Sequence, residues 1–443
     1  MLFRTLAVLA LQNLFDEVPL YYLWDSFDKL VESAHSKHCT AAVRSLCFHA
    51  DQLDDLYFTE DSSSVDRWNL LRETMPPHHP THDMWLDPND NLQFRSPPSG
   101  DRMVTRQYKR TKEIQRGVCK RAGLKIAYNH YKKLLREQSH RYGWNLQREK
   151  LADFMRACPN LNHVVITMAD QLRLTSNRNV KEFQRAIVRP FGDDYWRGSA
   201  VESLNLAMVA AFDAGKSIQR LEIANLSPYY FNSNSGPRQG LNLEAAMQVV
   251  ENVQELRLGF VNNVIDDDRS EVVNRSDLCE IAKRLPKGCV VKFLAHAQTL
   301  RKLELKLPYS IDKMSKIDLA QVVGDCTWRE LTHLDLTMFR CTSDYLVDLL
   351  KRHETTLTGL RLCDVTLSEG RWTDCFQRIA GKLPKLSKVT LRGQFTCSDL
   401  VAPALVTSLS EDSHDPEECV PRLERYLVAG GELPTHLFND TEF

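Results

Sequence analysis

Two short motifs in the sequence contain residue types that could bind a phosphate or a metal ion. The run Ala-Gly-Lys-Ser at 214–217 resembles the end of a phosphate-binding loop, but the glycine that begins such a loop is replaced by Ala210. We therefore interpret 214–217 as the end of a helix before a strand. His78, His79 and His82 could ligate zinc, but no cysteine or carboxylate set completes a site beside them. They are more typical of a surface loop.

The sequence contains no recognisable catalytic motif. His353 opens His-Glu-Thr-Thr-Leu, which lacks the second histidine of a zinc-protease helix. The Gly-x-Ser-x-Gly motif of serine hydrolases does not occur. The run 266–268 is Asp-Asp-Asp without the glycine and glutamate spacing of a calcium loop. We predict no enzymatic activity, catalytic residue, cofactor or metal site; a triad assembled from residues distant in sequence is the alternative that motifs do not test.

The composition is that of an ordinary globular protein. Hydrophobic residues make up 43% of the chain and charged residues 26%. The net charge of -1 gives no global attraction to nucleic acid or membrane, and no stretch approaches the ~20 apolar residues of a membrane span. The twelve cysteines include no Cys-x-x-Cys pair and mostly lie in apolar runs. They predict reduced thiols in a cytoplasmic or nuclear protein.

One spacing of apolar residues recurs along the chain, at positions i, i+3 and i+5. Its clearest copies begin at Leu300, Leu331, Leu357 and Leu386, which are 31, 26 and 29 residues apart. In a strand, positions i+3 and i+5 point to the same face, so each copy predicts a strand that is buried on one face. Weaker copies begin at Val43, Leu161, Val201, Ile218 and Val253.

The stretches between these strands predict helices. Thr342 can cap the helix that follows it, and the basic residues at 351–353 suit the negative end of the helix dipole. A later helix is predicted from apolar residues that share one helical face, namely Trp372, Phe376, Ile379 and Leu383.

This alternation predicts an α/β fold, specifically a leucine-rich-repeat-like solenoid of parallel strands backed by helices, with irregular repeats. One such unit cannot bury its leucines alone, whereas stacked units form a continuous sheet. The alternative is a doubly wound α/β fold, which would need glycine-rich strand-to-helix turns around a cofactor. No such turn occurs in the sequence.

Composition divides the chain into five predicted parts. They are 1–58, with one helix over 16–37 and the first repeat strand; 59–101, a loop or disordered insertion; 102–150, a basic helical segment; 151–410, the repeat array; and 411–443, an acidic C-terminal tail.

The segment 102–150 is the most unusual in charge. It has fifteen Lys or Arg and three Glu, a net charge of +12, whereas 396–443 has ten acidic and two basic residues, a net charge of -8. An amphipathic helix that packs its apolar stripe on the array is one interpretation. A contact for a phosphate backbone or an acidic partner is the other.

The order and spacing of several segments resemble the fungal F-box proteins with leucine-rich-repeat-like C-terminal regions. The similar segments are FRTL at 3–6, FDKLVESAHSKHCTAAVRSLCFHADQLDD at 27–55, VDRWNLL at 65–71, the stretch 331–395, Glu-Gly-x-Trp at 369–372 and LERYLVAGG at 423–431. In that family an F-box precedes the FRTL segment and docks on the Skp adaptor of a cullin–RING ubiquitin ligase. Here the sequence begins at Met1, just before FRTL, so the resemblance implies a substrate-recognition array. Adaptor binding is expected only if an F-box is encoded upstream.

The register also predicts a partner-binding face, since strand residues that alternate with the leucines point away from the core. We predict that this face binds a protein that the sequence does not identify, and that the chain has no membrane partner. A nucleic-acid-associated role through 102–150 is the alternative function. Neighbouring strands should place Glu304, Asp335 and Arg361 roughly 5 Å apart, where they could simply neutralise each other. The predicted face consists of Arg257, Lys302, Glu304, His333, Asp335, Arg361 and Thr390.

Overall fold

In the described part of the chain, most of the copies of the i, i+3, i+5 apolar spacing form strands of one ten-stranded parallel sheet that is backed by helices. The structure is a computed structural model, and it describes residues 16–21, 24–50, 144–167, 199–226, 228–231, 237–260, 288–307, 317–397 and 416–434, together with residue 133. The α/β architecture and the parallel strands predicted from the sequence are therefore confirmed. The predicted insertion 59–101, most of the basic segment 102–150, the histidines at 78–82 and the aspartates at 266–268 lie outside the described residues.

The strands follow one another across the sheet in nearly sequential order. The order is β1-β2-β3-β4-β5-β6-β7-β9-β10, and the short β8 pairs with β9 off this path. The strands are β1 (Glu17–Tyr21), β2 (Ser45–His49), β3 (His163–Thr167), β4 (Arg220–Leu226), β5 (Glu255–Phe260), β6 (Lys302–Lys306), β7 (His333–Thr337), β8 (Arg340–Thr342), β9 (Gly359–Glu369) and β10 (Lys388–Cys397).

The turn that leads into each strand has the same hydrogen bonds along the sheet. The carbonyl oxygen of the residue before one strand accepts two N–H groups from the start of the next strand. For example, Arg301 O accepts from Thr332 N at 2.8 Å and His333 N at 3.0 Å, and Thr332 O accepts from Thr358 N and Gly359 N at 2.8 and 2.9 Å. The arrangement recurs at every junction from β1–β2 to β9–β10. It fixes the register, so equivalent residues of successive strands lie side by side.

The helices lie on the face of the sheet to which the leucines point, and one hydrophobic core joins both layers. Leu334 and Leu336 of β7 illustrate the strand side of this core, since both are buried. The helices are α1 (Trp24–Ala34), α2 (Lys37–Ala42), α3 (Trp144–Ala157), α4 (Ser199–Asp213), α5 (Pro237–Val250), α6 (Cys289–His296), α7 (Leu319–Val323), α8 (Ser343–Arg352), α9 (Trp372–Ile379) and α10 (Pro416–Ala429), with a 3₁₀ turn at Pro228–Phe231.

Polar contacts tie the helical layer together at defined points. The predicted cap is confirmed, because the hydroxyl of Thr342 accepts a hydrogen bond from Tyr345 N at 3.1 Å. The indole of Trp328 donates a hydrogen bond to Leu294 O at 3.1 Å. This hydrogen bond links the turn before β7 to α6. Buried polar groups need such partners, because an unpaired one costs about 1–3 kcal/mol.

Two local predictions were wrong. The single helix predicted over 16–37 is a strand, β1, followed by α1 and α2, and Pro19 lies inside that strand. The strand predicted from Val201 is part of α4. Apolar residues surround much of that helix, with Leu204, Leu206 and Met208 all fully buried, so its apolar spacing also satisfies the strand pattern.

The segment predicted as an acidic tail contributes to the sheet's last edge. Helix α10 packs on β10, with Leu423 and Leu427 buried. The carboxylate of Glu424 accepts a hydrogen bond from Leu391 N of β10 at 2.8 Å. Edge strands present unpaired N–H groups that favour aggregation, so α10 partly protects this edge.

The described cysteines are free thiols, and most of them are buried. Burial raises the pKa of the Cys158 thiol to about 12, so that thiol stays protonated and unreactive near neutral pH. Within the described ranges, every helix is too short or too polar to traverse a bilayer.

Candidate functional site

The seven predicted partner-binding residues all line one groove on the side of the sheet opposite the helices. The groove has a volume of about 310 Å³ and extends from β4 to β10. The register places its side chains in rows that run across the strands. We call this surface the open face: the outward residues of β4–β10, including Arg220, Glu222, Glu255, Arg257, Lys302, Glu304, Lys306, His333, Asp335, Arg361, Lys388, Thr390 and Arg392.

Ion pairs connect side chains of the middle row. This row consists of the residues that the register places side by side at the centre of the strands, namely Glu222, Arg257, Glu304, Asp335 and Arg361. Arg257 Nε lies 2.8 Å from Glu304 Oε1, and its Nη1 lies 3.9 Å from Glu222 Oε2. Arg361 Nη1 donates to Asp335 Oδ2 at 3.0 Å. The predicted neutralisation is therefore present between Asp335 and Arg361, whereas Glu304 pairs with Arg257 instead. Each pair joins two adjacent strands.

A second row of pairs lies nearer the start of the strands. Lys302 Nζ donates to Glu255 Oε1 at 2.7 Å, and Arg220 bridges Glu222 at 2.7 Å and Glu255 at 3.5 Å. Glu222 is buried and also lies 3.2 Å from His163 Nε2. Its several partners offset the cost of burying a carboxylate.

Burial sets the electrostatics of the carboxylates in the middle row. Desolvation raises the pKa of Glu304, and Arg257 opposes that rise. Desolvation likewise raises the pKa of Asp335, and the charge and hydrogen bond of Arg361 oppose it. In each case the arginine partly offsets the unfavourable effect of burial on the charged carboxylate.

His333 lies over a glycine in the row at the start of the strands. A Cβ atom on Gly359 would come within 2.7 Å of His333 Cδ2, so only glycine admits this ring position. Nδ1 of the ring lies 2.9 Å from the Thr332 hydroxyl, which itself donates to Arg301 O. Burial lowers the pKa of His333, Lys302 and Lys388 lower it further, and Glu255 opposes this lowering. The neutral form of the ring is therefore favoured, and with Nδ1 directed at Thr332 that form can offer Nε2 as a hydrogen-bond acceptor.

The sequence prediction omitted several residues of the groove that the same register could have found. Applying the alternation to the weaker copies from Ile218 and Val253 gives the outward positions of β4 and β5, and the copy from Leu386 gives Lys388. Gly359 has no such signal, because its role depends on the neighbouring imidazole. The omitted residues that line the groove are Arg220, Glu222, Glu255, Gly359 and Lys388.

A second cavity, of about 650 Å³, lies at the turns before β2, β3 and β4. It includes the Gly-Lys-Ser of the phosphate-loop-like motif, but Lys216 donates to Cys158 O and Asn160 donates to Ala41 O at 2.7 Å. Gly215 adopts a positive φ of 61° directly after α4, which is the usual way for a helix to end. The polar groups here connect turns, as expected from the sequence interpretation.

The groove lining provides charged pairs and an imidazole, and it includes neither serine nor cysteine. Among the residues described, no three or more His, Cys, Asp or Glu side chains are grouped so as to hold a metal ion. Comparison with protein-family models gave no match, and comparison with curated proteins also gave none.

Proposed function

We propose that this chain is a leucine-rich-repeat-like solenoid that binds a protein partner through its open face. The observation that carries the proposal is that outward side chains from β4 to β10, most of them charged, line a single groove. The repeated two-donor turn before each strand supports the solenoid, because stacked equivalent units require equivalent junctions.

The chemistry of the groove favours a protein over a small molecule. Small-molecule sites are concave and are lined predominantly by hydrophobic and aromatic side chains with a few polar groups. The outward lining here is dominated by Arg, Lys, Glu and Asp in rows across successive strands. Such rows match a polypeptide, which can place a side chain against each strand.

The resemblance to F-box proteins suggests the context of this binding. We propose that the array corresponds to the substrate-recognition part of an F-box receptor of a cullin–RING ubiquitin ligase. We place it in the cytoplasm or nucleus, where the free thiols of the core would stay reduced. Co-purification of the natural gene product, with any F-box that is encoded upstream, with a Skp-type adaptor tests the ligase part alone, so its failure would leave the binding role intact.

Site-specific photo-crosslinking tests the binding role. A photo-reactive residue at Thr390, on the open face, should capture a partner that one at Gln377, on the exposed side of α9, does not capture. The purified partner should then bind Thr390→Trp at least roughly tenfold more weakly than wild type, because the indole fills the groove. The matched variant Gln377→Trp should bind normally. Equal capture from both positions, or equal binding by both variants, would refute the proposal.

A further inference from the structure

The cations of the open face project further into solvent than its carboxylates do. The paired side chains of Arg220, Arg257, Lys302 and Arg361 are 44–55% exposed, whereas those of Glu222, Glu255, Glu304 and Asp335 are 8–36% exposed. A partner that approaches this face therefore meets guanidinium and ammonium groups first.

Three further cations on the same face have no ion pair within the described residues. They are Lys306 on β6 and Lys388 and Arg392 on β10, and all three are exposed. By contrast, each of the four carboxylates between β4 and β7 on this face already contacts a cation. Glu424 attracts Lys388 and Arg392 from the sheet edge, but its hydrogen bond goes to the backbone of Leu391.

The positions of these cations follow from the register. Lys306 and Arg392 lie in one row, since Lys306 pairs with Thr337, Thr337 with Cys363 and Cys363 with Arg392. Three strand spacings separate them by roughly 14 Å, and the four residue steps from Lys388 to Arg392 span roughly 13 Å. Arg361 and Thr390, which are paired in the register of β9 and β10, lie between the three cations.

We propose that the β6–β10 end of the open face binds an acidic, extended segment of a partner protein. This inference rests on the proposed protein-binding function and specifies its partner. Carboxylates at positions i and i+4 of an extended peptide are also roughly 13 Å apart. They can therefore reach Lys388 and Arg392 together when the peptide lies along β10.

Nucleic acid fits this face less well than an acidic peptide does. Duplex DNA has one phosphate charge per ~1.7 Å of helix axis, and proteins that bind it neutralise several phosphates at once. The open face offers three cations without an ion pair, with four carboxylates among its other cations. Those carboxylates would repel a continuous phosphate backbone, whereas a peptide can place its few charges next to the three cations that lack an ion pair.

Peptide binding to the full chain tests the inference. The probes are three fluorescent extended peptides of equal length, in which serine alternates with glutamate, glutamine or lysine. We expect only the glutamate peptide to bind, and to bind more weakly as salt increases. Lys388→Glu combined with Arg392→Glu should weaken its binding by roughly tenfold or more. The matched variant, Lys351→Glu with Lys382→Glu, makes the same change of net charge away from the open face and should bind as wild type does.

Several outcomes would overturn the inference. Equal binding of the glutamine or lysine peptide would show that acidic charge is not recognised. If duplex DNA bound more tightly than the glutamate peptide and the Lys388→Glu/Arg392→Glu variant lost this DNA binding, the open face would be a nucleic-acid-binding surface instead. Self-association that the same variant abolishes would assign it to a second copy of the chain. If the acidic peptide fails while crosslinking from Thr390 still captures a partner, the protein-binding function stands and only the acidic preference is refuted.

Discussion

At the scale of single residues, burial rather than sequence neighbours sets the charge of two histidines. His49 and His353 are each 1% exposed, and burial lowers the pKa of both to about 4. The His353 ring stacks on Trp328 with centroids 5.5 Å apart, and Nδ1 lies 3.2 Å from Trp328 O. Nε2 of His353 has no hydrogen-bond partner among the described residues, so a second ring proton would be buried without an acceptor.

We predict that acidification destabilises the protein through His353. Its folded pKa of about 4 lies below the ordinary value of 6.5, so its contribution to stability is present above pH 6.5 and is lost as the pH falls toward 4. The contribution changes by at most about 1.4 kcal/mol per pH unit. Urea unfolding of wild type and His353→Gln across this range measures the effect as the difference between the two free energies.

The comparison with His353→Gln is needed because other groups act in the opposite direction. Glu304, Asp335 and Glu424 have raised folded pKa values, so their contributions to stability are lost as the pH rises. These contributions cancel between wild type and variant. His353→Gln should be less stable at neutral pH, and the gap should narrow in acid. A constant gap from pH 6.5 to pH 4 would show that His353 does not titrate as described.

At the scale of elements, a strand could be predicted where apolar residues occupy positions i, i+3 and i+5, beginning at the turn that leads into the strand. The copies from Leu300, Leu331, Leu357 and Leu386 all became strands with the assigned residues inward. The outward positions followed from the same register, so all seven predicted site residues fall on one surface. Period-2 alternation thus determined the candidate site once the strands were assigned.

The element predictions failed where one apolar pattern fitted two structures. Leu20 and Phe27 are buried in the structure, and their spacing fits one helical face, although Pro19 between strand residues argues against a helix interior. The three-residue β8 is too short to show any periodicity. The ion pairs depend on side-chain conformations across strands, which residue spacing alone does not determine.

We predict that β7 is stabilised mainly by its leucines. Leu336→Ala removes a fully buried side chain and should cost roughly 2–5 kcal/mol. The neighbouring Thr337→Ala, on the open face, should cost much less. In the proposed solenoid, stacked units contact only their neighbours, so amide exchange should accelerate first in β6, β7 and β9 and only later in β2 and β3. Equal loss of protection in all strands would contradict nearest-neighbour stacking, and wild-type melting of Leu336→Ala would contradict the register.

At the scale of the whole molecule, the chain's near-zero net charge conceals large opposite charges. The segment 102–150 has a net charge of +12 and the C-terminal region 396–443 a net charge of -8. The structure adds that part of the acidic region belongs to the folded body, because α10 packs on β10 through Leu423, Tyr426 and Leu427. Removing 396–443 would therefore also remove the end of β10 and the hydrogen bond to Leu391 N. The effects of this deletion would combine the loss of negative charge with a loss of stability.

Substitutions that neutralise acidic side chains of this region therefore test the alternative, nucleic-acid-associated role better than a deletion does. We predict that the purified protein binds duplex DNA weakly and without sequence preference, with Kd roughly 10⁻⁴ to 10⁻⁶ M at physiological salt, because phosphate contacts alone supply such binding. Glu411→Gln, Asp412→Asn and Asp415→Asn together should strengthen that binding a few-fold if the acidic region competes for the basic segment, without removing α10. Fluorescence anisotropy with two duplexes of different sequence at several salt concentrations measures both effects. Binding that survives about 200 mM salt and discriminates between the duplexes would favour the nucleic-acid role instead, since non-specific phosphate contacts fall steeply over that range.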